Sequence, residues 1–458
     1  MLDRAATVYG VFISTLNDAA VQQVERDIEP KLAAFRDRVV QNEKLFRRIA
    51  AVYAVRERSG LTSAQQRLAW LQYTTLRRAG AELDAPAKRR LGEINQRLAT
   101  LFTQFSQNLL AEESERFLLI DSKDGLAGLP DSVVAGAATD AEARGLNGQW
   151  LMANTRSSVE PFLTYSTRRD LREKVWRTFV NRGDNGDAHD NNAIISEVLK
   201  LRAERARLIG YPTHAHWRLE DSMARTPERT LALMEAVWQP AVARVREEVA
   251  DMQALAARET GAPFTIEPWD YRFYAEKVRK ARYDLDASDL TPYLQLEKLR
   301  EGMFVVAHEL FGMTFTALPP GKVPVYHPDV RVWEVTRDGR HLGLWYFDPY
   351  ARPGKRSGAW MSAYRSQERF AGEVTTIVSN NANFMKGKPG EPLLISWDDA
   401  VTLFHEFGHA LHGLSSDVNY PSLSGTNVAR DYVEFPSQLL EHWLAVPEVL
   451  NRFAVHYQ

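Results

Sequence analysis

Between residues 20 and 118, apolar positions recur every three or four residues, as in helices that each bury one stripe. In "EINQRLATLFTQFSQNLL" that stripe is Ile94, Leu98, Leu101, Phe102, Phe105 and Leu109. Such a stripe predicts a helix packed on its neighbours, not a ligand site. "SKDGLAGLPDS" (122–132) is rich in Gly, Pro and Asp and interrupts the run. Helical spacing then resumes. "AIISEVLKLRAERARLIGYP" stops at Gly210 and Pro212, and a long tract from Thr226 has Pro240 as a point for a kink. No fixed repeat period is present, which argues against a solenoid.

At about residue 315 the period drops to two. "VPVYHPDVRVWEVTRDGRHLGLWYFDPY" alternates around Asp338-Gly339, a strong hairpin signal. After the loop "ARPGKRSGAWMS" comes a second extended stretch, "EVTTIVSNNANF" (373–384). "ISWDDAVTLFHEFGHALHGL" returns to helical spacing, and Ser396 followed by Asp399 sets its start near Trp397. The pattern predicts a mainly α protein with a small antiparallel sheet beside this last helix. Its expected division is an N-terminal helical segment (1–130), a helical lobe (131–315) and a catalytic region (316–458).

Composition narrows the partners. Fifty-seven basic residues against 59 acidic ones leave a net charge of -2, so no nucleic acid or anionic membrane is expected as partner. With no cysteine, thiolate metal sites, disulfides and cysteine nucleophiles are excluded. There is no apolar run of transmembrane length, and charge interrupts the first twenty residues too often for a signal peptide. A cytoplasmic monomer is the default expectation. "LDRAATVYGVFISTLND" reads as a helix already under way, so the start is expected to be a truncation.

The chemistry lies in "VTLFHEFGHALHG" (401–413). His405 and His409 are one helical turn apart and project from one face, where two neutral imidazoles can bind one zinc ion. Glu406, about 100° further round, can reach a water at that site and take its proton. This is the H-E-x-x-H arrangement of zinc peptidases. Val401, Phe404, Ala410, Leu411 and Leu414 make the helix a buried one, where unpaired histidines are costly. Gly408 weakens a helix interior by about 1 kcal/mol relative to alanine, so something is expected to pack closely on it. For a third ligand, Ser415 stands where a histidine would extend the motif, and His412 suits packing better. Asp417 follows too soon for the chain to reverse. Asp431, Glu434 and Glu441 remain, and spacing does not separate them.

"FHEFGHALHGLSSDVNYPSLSGTNVARDYVEFPSQLLEHWL" resembles the signature region of the thimet oligopeptidase family of zinc peptidases. "LRAERARLIGYPTHAHWRLEDSMA", "WDYRFYAEKVRKARYDLD", "GMFVVAHELFGMTF" and "YFDPYARPGKRSGAWM" resemble family segments in the same order, so the likeness spans essentially the whole chain. It implies one zinc ion held by His405, His409 and Glu434, with Glu406 as catalytic base. It also implies a two-lobed helical zincin whose deep channel admits short peptides. "SGTNVARDYVEFPSQ" favours the branch that releases C-terminal dipeptides over the endo-acting branch. An inactive zinc- and peptide-binding fragment is the alternative of another class.

The same likeness casts "NNANF" as an edge strand holding the substrate backbone through Ala382 and Asn383. A dipeptide-releasing enzyme also needs a group for the free carboxylate, and Arg352, Arg356 and Arg430 are candidates. In the family, the donors that stabilise the oxyanion lie in a Gly- and Tyr-rich segment well beyond the third ligand. This chain ends 24 residues after Glu434, and Tyr420, Tyr432 and Tyr457 do not match that segment. The expectation is therefore a fragment with little or no activity by itself.

Overall fold

The computed structural model describes residues 2–284, 287–387 and 390–458. Helices dominate, as the three- and four-residue spacing requires. The stripe from Ile94 lies on the helix Ala85–Glu115, started by the Asp84 carboxylate accepting the Ala87 N–H. Ile94, Leu98 and Leu101 pack against Ile194 and Val198 of the helix Asn192–Leu208. The latter ends before Gly210, which takes φ +87°. Pro240 does not interrupt the helix Pro227–Thr260. Among the described residues no helix is long and apolar enough to cross a membrane.

Two sheets interrupt the helices. Strands β1 (Leu118–Ile120) and β2 (Trp150–Met152) form a small antiparallel pair. The larger sheet contains β3 (Met313–Ala317), β4 (Arg331–Arg337), β5 (Arg340–Tyr350), β6 (Trp360–Arg365) and β7 (Thr376–Phe384), in the order β3-β4-β5-β7-β6. The β4–β5 hairpin turns at Asp338 and Gly339, with φ of +49° and +75°. Two consecutive positive values match the right-handed twist of the flanking strands.

The sheet corrects two expectations. It is mixed, because β5 and β7 run parallel while β6 pairs with the other side of β7. The strand that carries "NNANF" is therefore not a sheet edge: β6 flanks it as far as Asn381. The family likeness cast it as an edge, yet internal partners satisfy its asparagine side chains. Asn380 Nδ2 donates to Glu406 O at 2.6 Å, and Asn383 Nδ2 donates to Arg356 O and Gly358 O at 2.8 and 2.7 Å. Ala382 is buried and its carbonyl accepts from Lys355 Nζ. Pairing with β6 ends at Asn381, and just beyond it Ala382 O is taken by Lys355 Nζ and the Asn383 side-chain amide by Arg356 O and Gly358 O.

One face of this sheet supports the histidine helix, Trp397–Leu414. Phe407 packs among Phe304, Phe315 and Trp345, while Phe404, Leu403 and Leu411 belong to the same core. The helix starts as predicted: Ser396 Oγ accepts the Asp399 N–H at 3.0 Å.

Candidate metal centre

His405 and His409 leave the histidine helix on one side, with ring centroids 4.9 Å apart. Facing them is Glu434, the N-cap residue of the helix Phe435–Leu444. Its Oε2 lies 3.3 Å from His405 Nε2 and 3.0 Å from His409 Nε2. Gly408 makes this approach possible. A Cβ there would lie 2.7 Å from Ser437 Cα and 3.0 Å from Pro436 O, so only glycine lets the second helix sit this close. Ser437 Oγ shares its proton between Glu434 O at 2.9 Å and Glu434 Oε2 at 3.1 Å, which ties the carboxylate to the first turn of its helix.

Of the three acids that spacing left open, the structure brings Glu434 to both histidines. Asp431 is engaged elsewhere, accepting the backbone N–H groups of Met223 and Ala224 at 2.8 and 2.9 Å. Glu441 Oε1 stands 2.6 Å from His405 Nδ1. Because a carboxylate only accepts, Nδ1 carries a proton toward Glu441, which leaves Nε2 as the ring nitrogen that faces Glu434. A metal cation held between that nitrogen and the Glu434 carboxylate would satisfy both.

The donor set fits such a cation. Among the described residues, His405, His409 and Glu434 form the one group of three potential ligands, with atoms within 4.8 Å of one another. Ligands on a tetrahedral zinc at about 2.0–2.1 Å stand about 3.3 Å apart, close to the separations of 3.3 and 3.0 Å seen here. Burial pushes the His409 pKa down against the opposing pull of Glu434, which favours the neutral ligand form. His412 is outside the group, its Nδ1 buried without a partner.

Glu406 is 8% exposed and its Oε2 has no hydrogen-bond partner. Burial pushes its pKa up to about 7, with His405 opposing and the Glu434 charge adding. A carboxylate raised to that range can both accept and return a proton near neutral pH. Asn380 ties this position to the sheet: Trp345 Nε1 donates to its Oδ1 at 2.6 Å while its amide holds Glu406 O. Sequence reasoning missed Asn380 and Ser437. Ser437 could have been found from its place three residues past Glu434.

The candidate arginines do not converge. Arg352 makes a two-pronged pair with buried Asp348, at 2.7 Å for each bond, which commits it to the fold. Arg356 approaches Glu25 at 3.8 Å, and Arg430 is exposed. Tyr420 lies against Phe370, Tyr432 stacks on Phe435, and Tyr457 stacks on His456.

Residues 162–458 match the family description "Peptidase family M3". Over 460 residues the chain is 39% identical to the dipeptidyl carboxypeptidase of Escherichia coli (strain K12), covering 100% of this chain and 67% of that protein. The Salmonella typhimurium protein of the same name is also 39% identical, over 458 residues, with the same two coverages. Oligopeptidase A of Escherichia coli (strain K12) is 32% identical over 453 residues, covering 97% of this chain and 66% of that protein. The chain thus spans about two thirds of the length of these curated relatives. Matched over most of its length to that family and along all of it to the dipeptidyl carboxypeptidases, the chain belongs to peptidase family M3.

Proposed function

We propose that this chain carries the metal centre of a zinc-dependent peptidase that releases dipeptides from the C-terminus of short peptides. In this reading His405, His409 and Glu434 hold one Zn2+ and Glu406 is the general base. The observation that carries it is the meeting of His405 Nε2 and His409 Nε2 at one oxygen of Glu434, at 3.3 and 3.0 Å. When bound, the ion supplies Lewis acidity toward a peptide carbonyl and toward water.

The chain's own groups supply the rest. Glu441 keeps His405 in the tautomer that offers Nε2. Ser437 holds Glu434 Oε2 on its side of the site. Glu406 takes a proton from the attacking water at its carboxylate and returns it to the leaving amine. Release of dipeptides is supported by 39% identity to the dipeptidyl carboxypeptidases, against 32% for oligopeptidase A. An endo-acting oligopeptidase is the second reading, which the latter likeness favours.

Product identity, rather than rate, decides between them. The zinc-loaded protein is incubated with an N-blocked hexapeptide and the products are identified by mass spectrometry. Whatever products form are expected to be successive C-terminal dipeptides, and chelator should stop their release. Internal cleavage with no dipeptide ladder would replace this reading with the endo-acting one.

A further inference from the structure

Glu434 is the only member of the triad that is not on the histidine helix, so the site's geometry depends on what holds residues 431–434. Ser437 acts from the far side of Glu434. On the near side, Asp431 reaches a distant part of the chain. Its Oδ1 accepts the Met223 N–H at 2.8 Å and its Oδ2 accepts the Ala224 N–H at 2.9 Å. Each carboxylate oxygen thus takes one main-chain donor, a two-pronged and charge-assisted clamp.

The turn that offers these donors is pinned and strained. Thr226 N–H donates to Ala224 O at 2.8 Å across Arg225, which takes φ +66°. A closure of this kind around a left-handed non-glycine residue is rare and costly, and such strain persists only where surrounding contacts enforce it. Here they do. Arg225 N–H donates to Ser222 Oγ at 3.2 Å, and Ser222 Oγ donates to Leu219 O at 2.7 Å. Thr226 then caps the helix Pro227–Thr260. The two donors are therefore fixed relative to that 34-residue helix.

Between Asp431 and Glu434 the chain has little freedom. The N–H groups of Tyr432 and Val433 both donate to Ala429 O, at 3.0 and 3.2 Å, and Phe435 N–H donates to Tyr432 O at 2.9 Å. A displacement at Asp431 is passed along this tight turn to the Glu434 backbone. We propose that Asp431 is a positioning residue for the metal centre: clamped on Met223 and Ala224, it sets where Glu434 meets His405 and His409. The proposal rests on the reading of those three residues as the metal-holding group.

The test is a double-mutant cycle on the full chain, with Zn2+ affinity measured by chelator competition and the melting temperature of the metal-free protein measured in parallel. Asp431→Asn replaces one acceptor oxygen with an amide donor, so one prong is lost. Residues that orient a metal ligand typically contribute 10–100-fold in affinity. Asp431→Asn is expected to weaken zinc by that factor while the metal-free melting temperature stays near wild type. In a Glu434→Ala background, where only the histidines remain, adding Asp431→Asn is expected to change the residual affinity less than twofold. An unchanged affinity in the single variant overturns the proposal. So does an equal loss in both backgrounds, which would mean Asp431 supports the fold at large. Stoichiometric zinc retained by Glu434→Ala is a separate result: it overturns the ligand assignment itself, and with it any positioning of that ligand.

Discussion

Gly408→Ala adds a single carbon at the tightest contact between the two helices of the candidate site. That Cβ would lie 2.7 Å from Ser437 Cα, 3.0 Å from Pro436 O and 3.2 Å from Leu440 Cβ. Two of these atoms are backbone and cannot rotate away. Restoring an ordinary carbon contact of about 3.5–4.0 Å requires the helix Phe435–Leu444 to retreat by roughly 1 Å. Glu434 and Glu441 retreat with it, whereas metal–ligand distances tolerate only about 0.2 Å. Overpacking costs about 1–3 kcal/mol, and alanine recovers about 1 kcal/mol of helix propensity. The net expectation is a loss of up to about 2 kcal/mol, together with weakened zinc binding. Gly10→Ala is the control, because that helical position has nothing within 4 Å of an added Cβ. There alanine should gain about 0.5–1 kcal/mol. Denaturant unfolding and chelator competition on both variants read the two effects. If Gly408→Ala matched Gly10→Ala in stability and bound zinc like wild type, the close packing would not be what sets the site.

Three further outcomes are expected. Glu406→Gln should keep its zinc and, in a full-activity form of the enzyme, lose about 10²–10⁴-fold in hydrolysis of a short peptide, since an amide cannot accept the proton; wild-type turnover there would remove Glu406 from the mechanism. Asp348→Ala should destabilise by about 3–5 kcal/mol in denaturant unfolding, because it strands buried Lys355 and Arg352, which this carboxylate holds at 3.0 and 2.7 Å. A loss below about 1 kcal/mol would mean those cations find other partners. Asp140 has its pKa raised by burial from 3.8 to about 6, against the opposing Arg144 charge. Its stabilising contribution is present in full below pH 3.8 and is lost as pH rises through about 6. Asp140→Asn should therefore melt like wild type at acid pH and above it at pH near 8, by at most about 3 kcal/mol. An offset independent of pH would contradict that assignment.

How much of this was legible in the sequence follows the range of the interactions. The hairpin could be read because Asp338 and Gly339 both adopt the positive φ that the pair favours. The start of the histidine helix could be read because Ser396 caps it locally. The parallel pairing of β5 and β7 could not, since it depends on which distant strand fills the middle of the sheet. The roles of the asparagines in "NNANF" were hidden for the same reason: their partners, Glu406 O, Trp345 and Arg356 O, are remote in sequence. At the site, helical spacing exposed His405 and His409. It could not choose among Asp431, Glu434 and Glu441, because only packing shows Asp431 on the Met223–Ala224 turn and Glu441 behind His405. Arg352 suited a carboxylate-binding role by type, but the fold uses it on Asp348.

The most direct test of the central claim is the zinc content of the purified chain, measured by elemental mass spectrometry on wild type and single variants. The account predicts about one zinc ion per folded chain, lost in His405→Ala, His409→Ala and Glu434→Ala and retained in Asp417→Ala. A folded wild-type chain that takes up no zinc, or a Glu434→Ala chain that keeps its full complement, would contradict it.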